Sequence, residues 1–185
     1  MLRKLHHLSK FATKQQNYSP QTEQVLLVNE YNEKIGVCSR SKVRAEKLCH
    51  RTTFTYVLNS TGKLFVQKRT LSKDIFPGFY DLATGGIVSP DDKSDVDSAK
   101  RELLEELGID GVKPEFCFNH YHKPGPAWCV IFLTYWDKEL ILQPEEVQWV
   151  ELMSSEEIFS RSKTEKFTPH SLDVFRILHN QGKIR

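Results

Sequence analysis

Residues 101–109 read RELLEELGI, three glutamates and one arginine within a six-residue span. The stretch must be the end of a helix. Ser94 can cap its amino end with Asp97 three residues on, and Gly108 stands where a left-handed terminating residue belongs, so the helix is expected at about 95–107. At about 100° per residue Val96, Ala99, Leu103 and Leu107 form one apolar stripe, while Glu102, Glu105 and Glu106 cluster on another arc. The plainer alternative is a solvated face laced by pairs such as Arg101 with Glu105. Position argues against it. These acids occupy the last turns, where the negative end of the helix dipole disfavours them, so a cation is expected to compensate. A hard divalent ion, magnesium first and manganese as the substitute, matches carboxylate oxygens.

The rest of the composition is ordinary. The chain has 185 residues, enough to bury one core, and 39% of them are apolar, so one globular domain is the default. A formal net charge of +2 points to neither nucleic acid nor an acidic membrane as partner. Cys38, Cys49, Cys117 and Cys129 are scattered without a CxxC pair, which suggests neither zinc nor disulfides and fits a reduced, intracellular compartment. No stretch approaches the roughly 20 apolar residues of a membrane span, so a soluble protein is expected. Residues 1–22 differ in composition from the remainder of the chain. They carry Arg3, Lys4, Lys10 and Lys14 and no acid, with Leu2, Leu5, Leu8 and Phe11 at every third position. That is the composition of a transit peptide, which would direct the protein to mitochondria, or of a plain basic tail on a cytoplasmic one.

The domain is expected over 23–185. QVLLVNE and KIGVCS read as a hairpin, SKVRAEKLCH as a short helix, and TTFTYVLNSTGKLFVQKRT as a second hairpin turning at Asn59 to Gly62. FPGFYDLATGGIVS carries Pro77-Gly78 and Gly85-Gly86 around a short strand, and the double glycine lets backbone approach something closely. AWCVIFLTYW alternates as a central strand, SSEEIFS has a capping box on Ser154, and SLDVFRILHNQG closes the chain as an amphipathic helix. The class is α/β: an α/β/α sandwich around a mixed sheet. Binding residues are harder to read. Lys68, Arg69 and Lys73 follow a strand and could meet phosphate oxygens, although basic residues there are often plain surface. His120 and His122 would point to one face of a strand ahead of Lys123, without an evident third metal ligand. Trp128, Tyr135, Trp136 and Trp149 could stack on a base or serve as core.

Gly86 followed by Arg101-Glu102-Leu103-Leu104-Glu105-Glu106-Leu107-Gly108-Ile109 resembles the Nudix box, G-x5-E-x7-R-E-U-x-E-E-x-G-U with U apolar. The second half matches at every defined position. In the first half Asp92 stands six residues after Gly86 in place of glutamate, and eight residues rather than seven separate it from Arg101. One extra loop residue accounts for this. The likeness covers about 23–180. LFVQKRTLSKDIFPGFYDLATGG and KFTPHSL resemble the branch that holds isopentenyl-diphosphate isomerase and the YfcD-type hydrolases.

The resemblance implies a metal-dependent hydrolase that cleaves a phosphoanhydride in a small diphosphate, of the kind in which a nucleoside diphosphate is linked to another moiety. It implies Glu102 and Glu106 as primary metal ligands, Glu105 sharing the metal, and the Gly85 or Gly86 carbonyl completing the set, with Gly86 the choice. Arg101 would orient Glu105. A general base is expected from QPEEVQW, which offers Glu145 and Glu146, with Glu146 the choice. Two rivals share the scaffold. An isomerase would need a cysteine where Gly85 stands and a histidine where Ile87 stands. A catalytically silent binding module would not need the complete glutamate set. Oligomeric state stays open.

Overall fold

The computed structural model describes residues 23–185, and the leader read at 1–22 lies outside the described residues. The first hairpin pairs β1 (Gln24–Val28) with β2 (Lys34–Ser39), antiparallel from Gln24↔Ser39 to Val28↔Lys34. A short helix follows as α1 (Arg40–Glu46), capped by the Ser39 hydroxyl, which accepts from Lys42 N–H, and ended by Lys47 in the left-handed region.

The second hairpin forms its turn but not its ladder. Asn59 N–H donates to the Lys63 carbonyl, and Gly62 takes the left-handed conformation, φ 82°, that the turn requires. The strands β3 (His50–Leu58) and β4 (Leu64–Arg69) then share only Leu58↔Leu64 before splaying apart. Each has a better partner. β3 runs parallel to β7 (Ala127–Tyr135) along its whole length, and β4 pairs antiparallel with β8 (Val147–Met153). β6 (Glu115–His122) pairs with β7 on its other edge, and the two-residue β5 (Tyr80–Asp81) pairs with β4. The result is one mixed eight-stranded sheet.

Alternation along β3 assigns the layers. Tyr56 and Leu58 face a core completed by Ile158 of α3 (Ser155–Arg161) and by Val174, Phe175 and Leu178 of α4 (Pro169–Asn180). Val57 points the other way, onto Leu103 and Leu107 of α2 (Asp95–Leu107). Ala99 of α2 packs on Val130 and Phe132 of β7. The expected stripe is therefore the buried side of α2, where each leucine contributes roughly 1.5–3 kcal/mol. Its ends follow the sequence signals, with the Ser94 hydroxyl accepting from Asp97 N–H and Gly108 at φ 68°. Among the described residues the four cysteines are free thiols, and no helix is long and apolar enough to cross a membrane.

The segment after β5 lies against the free stretch of β3. Thr55 N–H donates to the Thr84 carbonyl and Thr53 N–H to that of Gly86, at 2.8 and 2.9 Å. This brings the double glycine against the sheet. A Cβ on Gly85 would sit inside the van der Waals shell of the Thr53 carbonyl oxygen, a backbone atom that cannot swing aside. Gly85→Ala should therefore destabilise the fold by about 3 kcal/mol or more, as forced overpacking does when it moves backbone. The urea midpoint checks this, with unfolding slope unchanged; a midpoint within error of the parent would show that the two segments part without cost.

Candidate active site

The glutamates of α2 are not a solvated face. Glu102 and Glu106 are buried, while Glu105 is half-exposed. The double glycine explains how one of them fits, because a Cβ on Gly86 would stand 2.6 Å from Glu102 Oε1. A side chain at position 86 would displace that carboxylate from where it lies.

Arg101 holds the outer part of the cluster. Its Nη1 donates to Glu102 Oε1 at 2.6 Å and to Glu105 Oε2 at 3.1 Å, while Nε and Nη2 each reach Asp92 at 3.1 Å. Nη2 also donates to the Ile87 carbonyl. Asp92, which stands in place of the motif's first glutamate, thus clamps Arg101. Asp92 itself is held by a turn, where its N–H donates to the Ser89 carbonyl and Ser89 N–H donates to Asp92 Oδ2. Burial works to raise the Asp92 carboxyl, but Arg101 and the Ser89 N–H hold it below its ordinary value.

Glu106 is less well compensated. Gln67 of β4, which no sequence motif marks, donates from Nε2 to Glu106 Oε2 at 3.1 Å and to the Thr84 hydroxyl. Lys73 binds Glu146 rather than Glu106, Nζ to Oε2 at 2.6 Å. Five carboxylates, those of Asp92, Glu102, Glu105, Glu106 and Glu146, thus answer to two cations, Arg101 and Lys73. The imbalance shows in their proton affinities. Burial raises the Glu102 carboxyl to about 7 against the pull of Arg101, with Glu105 and Glu146 pushing further. Burial, then Glu102 and Glu146, raises Glu106 well above its ordinary value.

The other expected residues divide. Arg69 lies on the site side, donating from Nη1 to Asp81 Oδ2 at 3.2 Å and from Nη2 to the Ile75 carbonyl. Lys68 does not. The two-residue period of β4 that turns Gln67 and Arg69 toward the glutamates turns Lys68 to the opposite face, its Nζ 3.8 Å from the centre of the Tyr80 ring. Lys68 is thereby removed from the candidate phosphate contacts. Of the two candidate bases, Glu146 is half-buried beside Lys73, whereas Glu145 is exposed and engages Thr70 and Ser72 through its carbonyl. The Gly86 carbonyl accepts from Thr53 N–H, leaving one lone pair for anything else. His120 and His122 do share a face, and His122 packs edge-on against His170, ring centres 5.6 Å apart, but among the described residues these imidazoles do not form a group that could hold a metal ion. Trp149 packs edge-on against Tyr80, and Trp128 lies tilted against Tyr121, ring centres 5.3 Å apart.

A cavity of about 150 Å³ opens beside Glu106. Arg69, Lys73 and Asp81 line it, as do Phe54, Phe76 and His170, whose ring stacks on Phe54 at 4.9 Å. Asp81 and His170 lie within the two stretches that resemble the YfcD-type branch, but nothing in those stretches singles them out as site residues, since one belongs to a two-residue strand and the other to the first turn of α4. Among the described residues no three acids, imidazoles or thiols converge on one point; Glu102 accepts from Arg101 and Glu106 from Gln67. The donors nevertheless suit a hard cation. They are carboxylates at helical spacing, two of them buried and under-compensated.

The raised values carry a stability consequence. A carboxyl that holds its proton more tightly folded than unfolded stabilises the fold most below its unfolded value and loses that contribution as pH rises through its folded value. For Glu102 the window runs from its ordinary 4.5 to about 7, and Glu106 acts in the same direction. Metal-free protein should therefore melt at a falling temperature between these pH values, and Glu106→Gln should flatten the slope. Calorimetry in chelator-treated buffer measures it; a melting temperature that rises across the window would mean these carboxylates are not strained.

Residues 49–175 match the family model described as NUDIX domain. The chain is 38% identical over 157 residues to the uncharacterized Nudix hydrolase PA4841 of Pseudomonas aeruginosa, covering 84% of this chain and 92% of the relative. It is 40% identical over 160 residues to the uncharacterized Nudix hydrolase YfcD of Escherichia coli, covering 84% and 86%. Among solved structures, DR0079 from Deinococcus radiodurans superposes with a TM-score of 0.70 at 23% identity, over 83% of this chain and 98% of that one. The NUDIX domain of Shewanella oneidensis NrtR, solved in complex with ADP ribose, superposes at 0.59 and 14% identity, over 78% and 99%. These two share the fold. With the RELLEELGI helix, its Gly86 seat and the Asp92–Arg101 clamp in place, the chain belongs to the Nudix family and is a hydrolase of that family.

Proposed function

We propose that the protein hydrolyses the phosphoanhydride bond of a small diphosphate in which a nucleoside diphosphate is linked to another moiety, and that the reaction requires a divalent cation, magnesium first and manganese as substitute. The observation that carries this reading is the pair of buried, under-compensated carboxylates, Glu102 and Glu106, on one side of α2. Such a pair is costly in a metal-free protein, and a dication relieves the cost.

Glu102 and Glu106 would hold the cation, with Glu105 beside them and a glycine carbonyl at the edge. When bound, it supplies charge neutralisation of the phosphoryl oxygens and positions water. The chain's own residues supply the rest. Arg101 keeps Glu102 and Glu105 on one side of the helix. Arg69, anchored by Asp81, offers its guanidinium to a non-bridging oxygen. Glu146, oriented by Lys73, accepts the proton of the attacking water as its oxygen bonds to phosphorus and the bridging oxygen departs with its electron pair. The rivals fare worse on physical grounds. The crowding at Gly85 excludes the cysteine an isomerase would need there, and a silent module has no use for strained buried carboxylates.

A phosphate-release screen over nucleoside diphosphates, sugar nucleotides, dinucleotides and prenyl diphosphates, with magnesium and with EDTA, tests the assignment. Turnover should appear on a diphosphate-linked nucleotide and vanish with EDTA; equal rates in both buffers would remove the cation requirement. Glu106→Gln keeps the shape and loses the charge, so turnover should fall on the order of 100-fold or more. Its folded protein should be at least as stable as the parent. Glu146→Gln should lower turnover with unchanged magnesium affinity, whereas Glu145→Gln should match the parent. If Glu145→Gln is the impaired one, the base has been misassigned.

A further inference from the structure

The family model begins at residue 49, yet the cavity beside Glu106 is completed by a segment that precedes it. Arg40 and Arg44 of α1 line this cavity together with Arg69, Lys73 and Glu106. Their placement on α1 runs against local preference. Arg40 is the first residue of the helix, where the positive end of the dipole disfavours a cation, and Arg44 lies one turn on, where a like charge repels it. No acid occupies the first turn of α1. Each arginine is held in place by an acid from elsewhere, Arg40 by Glu23 at 2.6 Å and Arg44 by Asp74. The second pair is exposed on both sides, and a pair of that kind is weak enough for a dianion to displace the carboxylate. Two guanidiniums one turn apart on the wall of a cleft make a fork for a phosphate, which each can meet with two parallel N–H donors. Phe54, Phe76 and His170 line the same cavity with flat aromatic surface, and Phe76 is held at φ 51°, an uncommon conformation for a residue with a side chain.

On the proposed hydrolase reading, Arg69, Lys73 and the glutamates serve the reacting diphosphate. We infer that Arg40 and Arg44 form a second anion subsite, so that the substrate class is a nucleotide diphosphate whose nucleoside moiety carries a further phosphate monoester. The aromatic wall takes the base, and α1, which precedes the residues that the family model matches, confers the selectivity.

Binding of hydrolysis-product analogues tests this without turnover. Adenosine 3′,5′-bisphosphate and adenosine 5′-monophosphate are titrated calorimetrically into the full-length protein with magnesium present. The bisphosphate should bind about tenfold tighter or more, the amount expected of charge-assisted hydrogen bonds to one added phosphate. In Arg44→Gln and in Arg40→Gln the ratio should collapse toward one, and Arg44→Lys should retain part of it. A ratio of one in the parent protein, no binding of either probe, or a ratio undiminished in both glutamine variants overturns the inference. A thermal melt on each variant separates loss of the subsite from loss of the fold; should a glutamine variant not fold, the parent ratio and Arg44→Lys decide. Diphosphate hydrolysis with a ratio of one would sink this inference alone. A ratio that holds without hydrolysis of any diphosphate would sink the hydrolase reading and leave the subsite standing.

Discussion

The Glu102 carboxylate occupies the space that any side chain on Gly86 would need, and the rest of the site depends on that exchange. The glycine pair can lie so deep only because the segment around it docks along β3, where Gly85 in turn tolerates no Cβ against Thr53. Two close approaches in succession, backbone on backbone and carboxylate on backbone, thus seat α2 on the sheet. The apolar contacts of Leu103 and Leu107 with Val57 supply the attraction, and the glycines set how near the helix comes.

Burying carboxylates at that depth has an electrostatic cost that the protein offsets unevenly. Arg101 answers Asp92, Glu102 and Glu105 with one fork of donors, which holds the outer glutamates without neutralising the inner one. Glu106 has a neutral amide from Gln67 and a lysine already committed to Glu146. An arrangement stable by itself would have placed a cation there. Its absence leaves two buried carboxylates under-compensated, and the proposed cation would couple ligand binding to apo stability through them.

The cleft beside this centre is assembled from six separate places in the chain: α1, Phe54 of β3, the end of β4 with the turn after it, the strand and glycine segment 81–85, Glu106 of α2, and the start of α4. Asp81 joins two of them, accepting from Arg69 on one oxygen and from the Thr168 hydroxyl on the other. The turn after β4 is tied as well, through Lys73 to Glu146 and through Thr70 to the Glu145 carbonyl. Residues that touch a ligand there are therefore positioned by contacts across the whole domain, and a rigid sheet with short ties replaces any dedicated frame.

Much of this was legible in the sequence. The limits of α2, its apolar stripe, its glutamate spacing, the capping box on Ser154 and the central strand 127–135 all rest on interactions between residues one to four apart, which a linear pattern encodes directly. The Nudix motif added the expectation that Gly86 and the glutamates meet. What the tertiary structure decided is which way each pattern faces. The period of β4 assigns Lys68 to the side opposite Gln67 and Arg69 but does not say which side meets α2, and the second hairpin splays because β3 and β4 find longer partners far along the chain. Burial of Glu102 and Glu106 and the arrival of Arg40, Asp81 and His170 at one cavity belong to the same class. Each depends on contacts between residues distant in sequence, and those are set by the balance of burial and charge over the whole fold rather than by any local pattern.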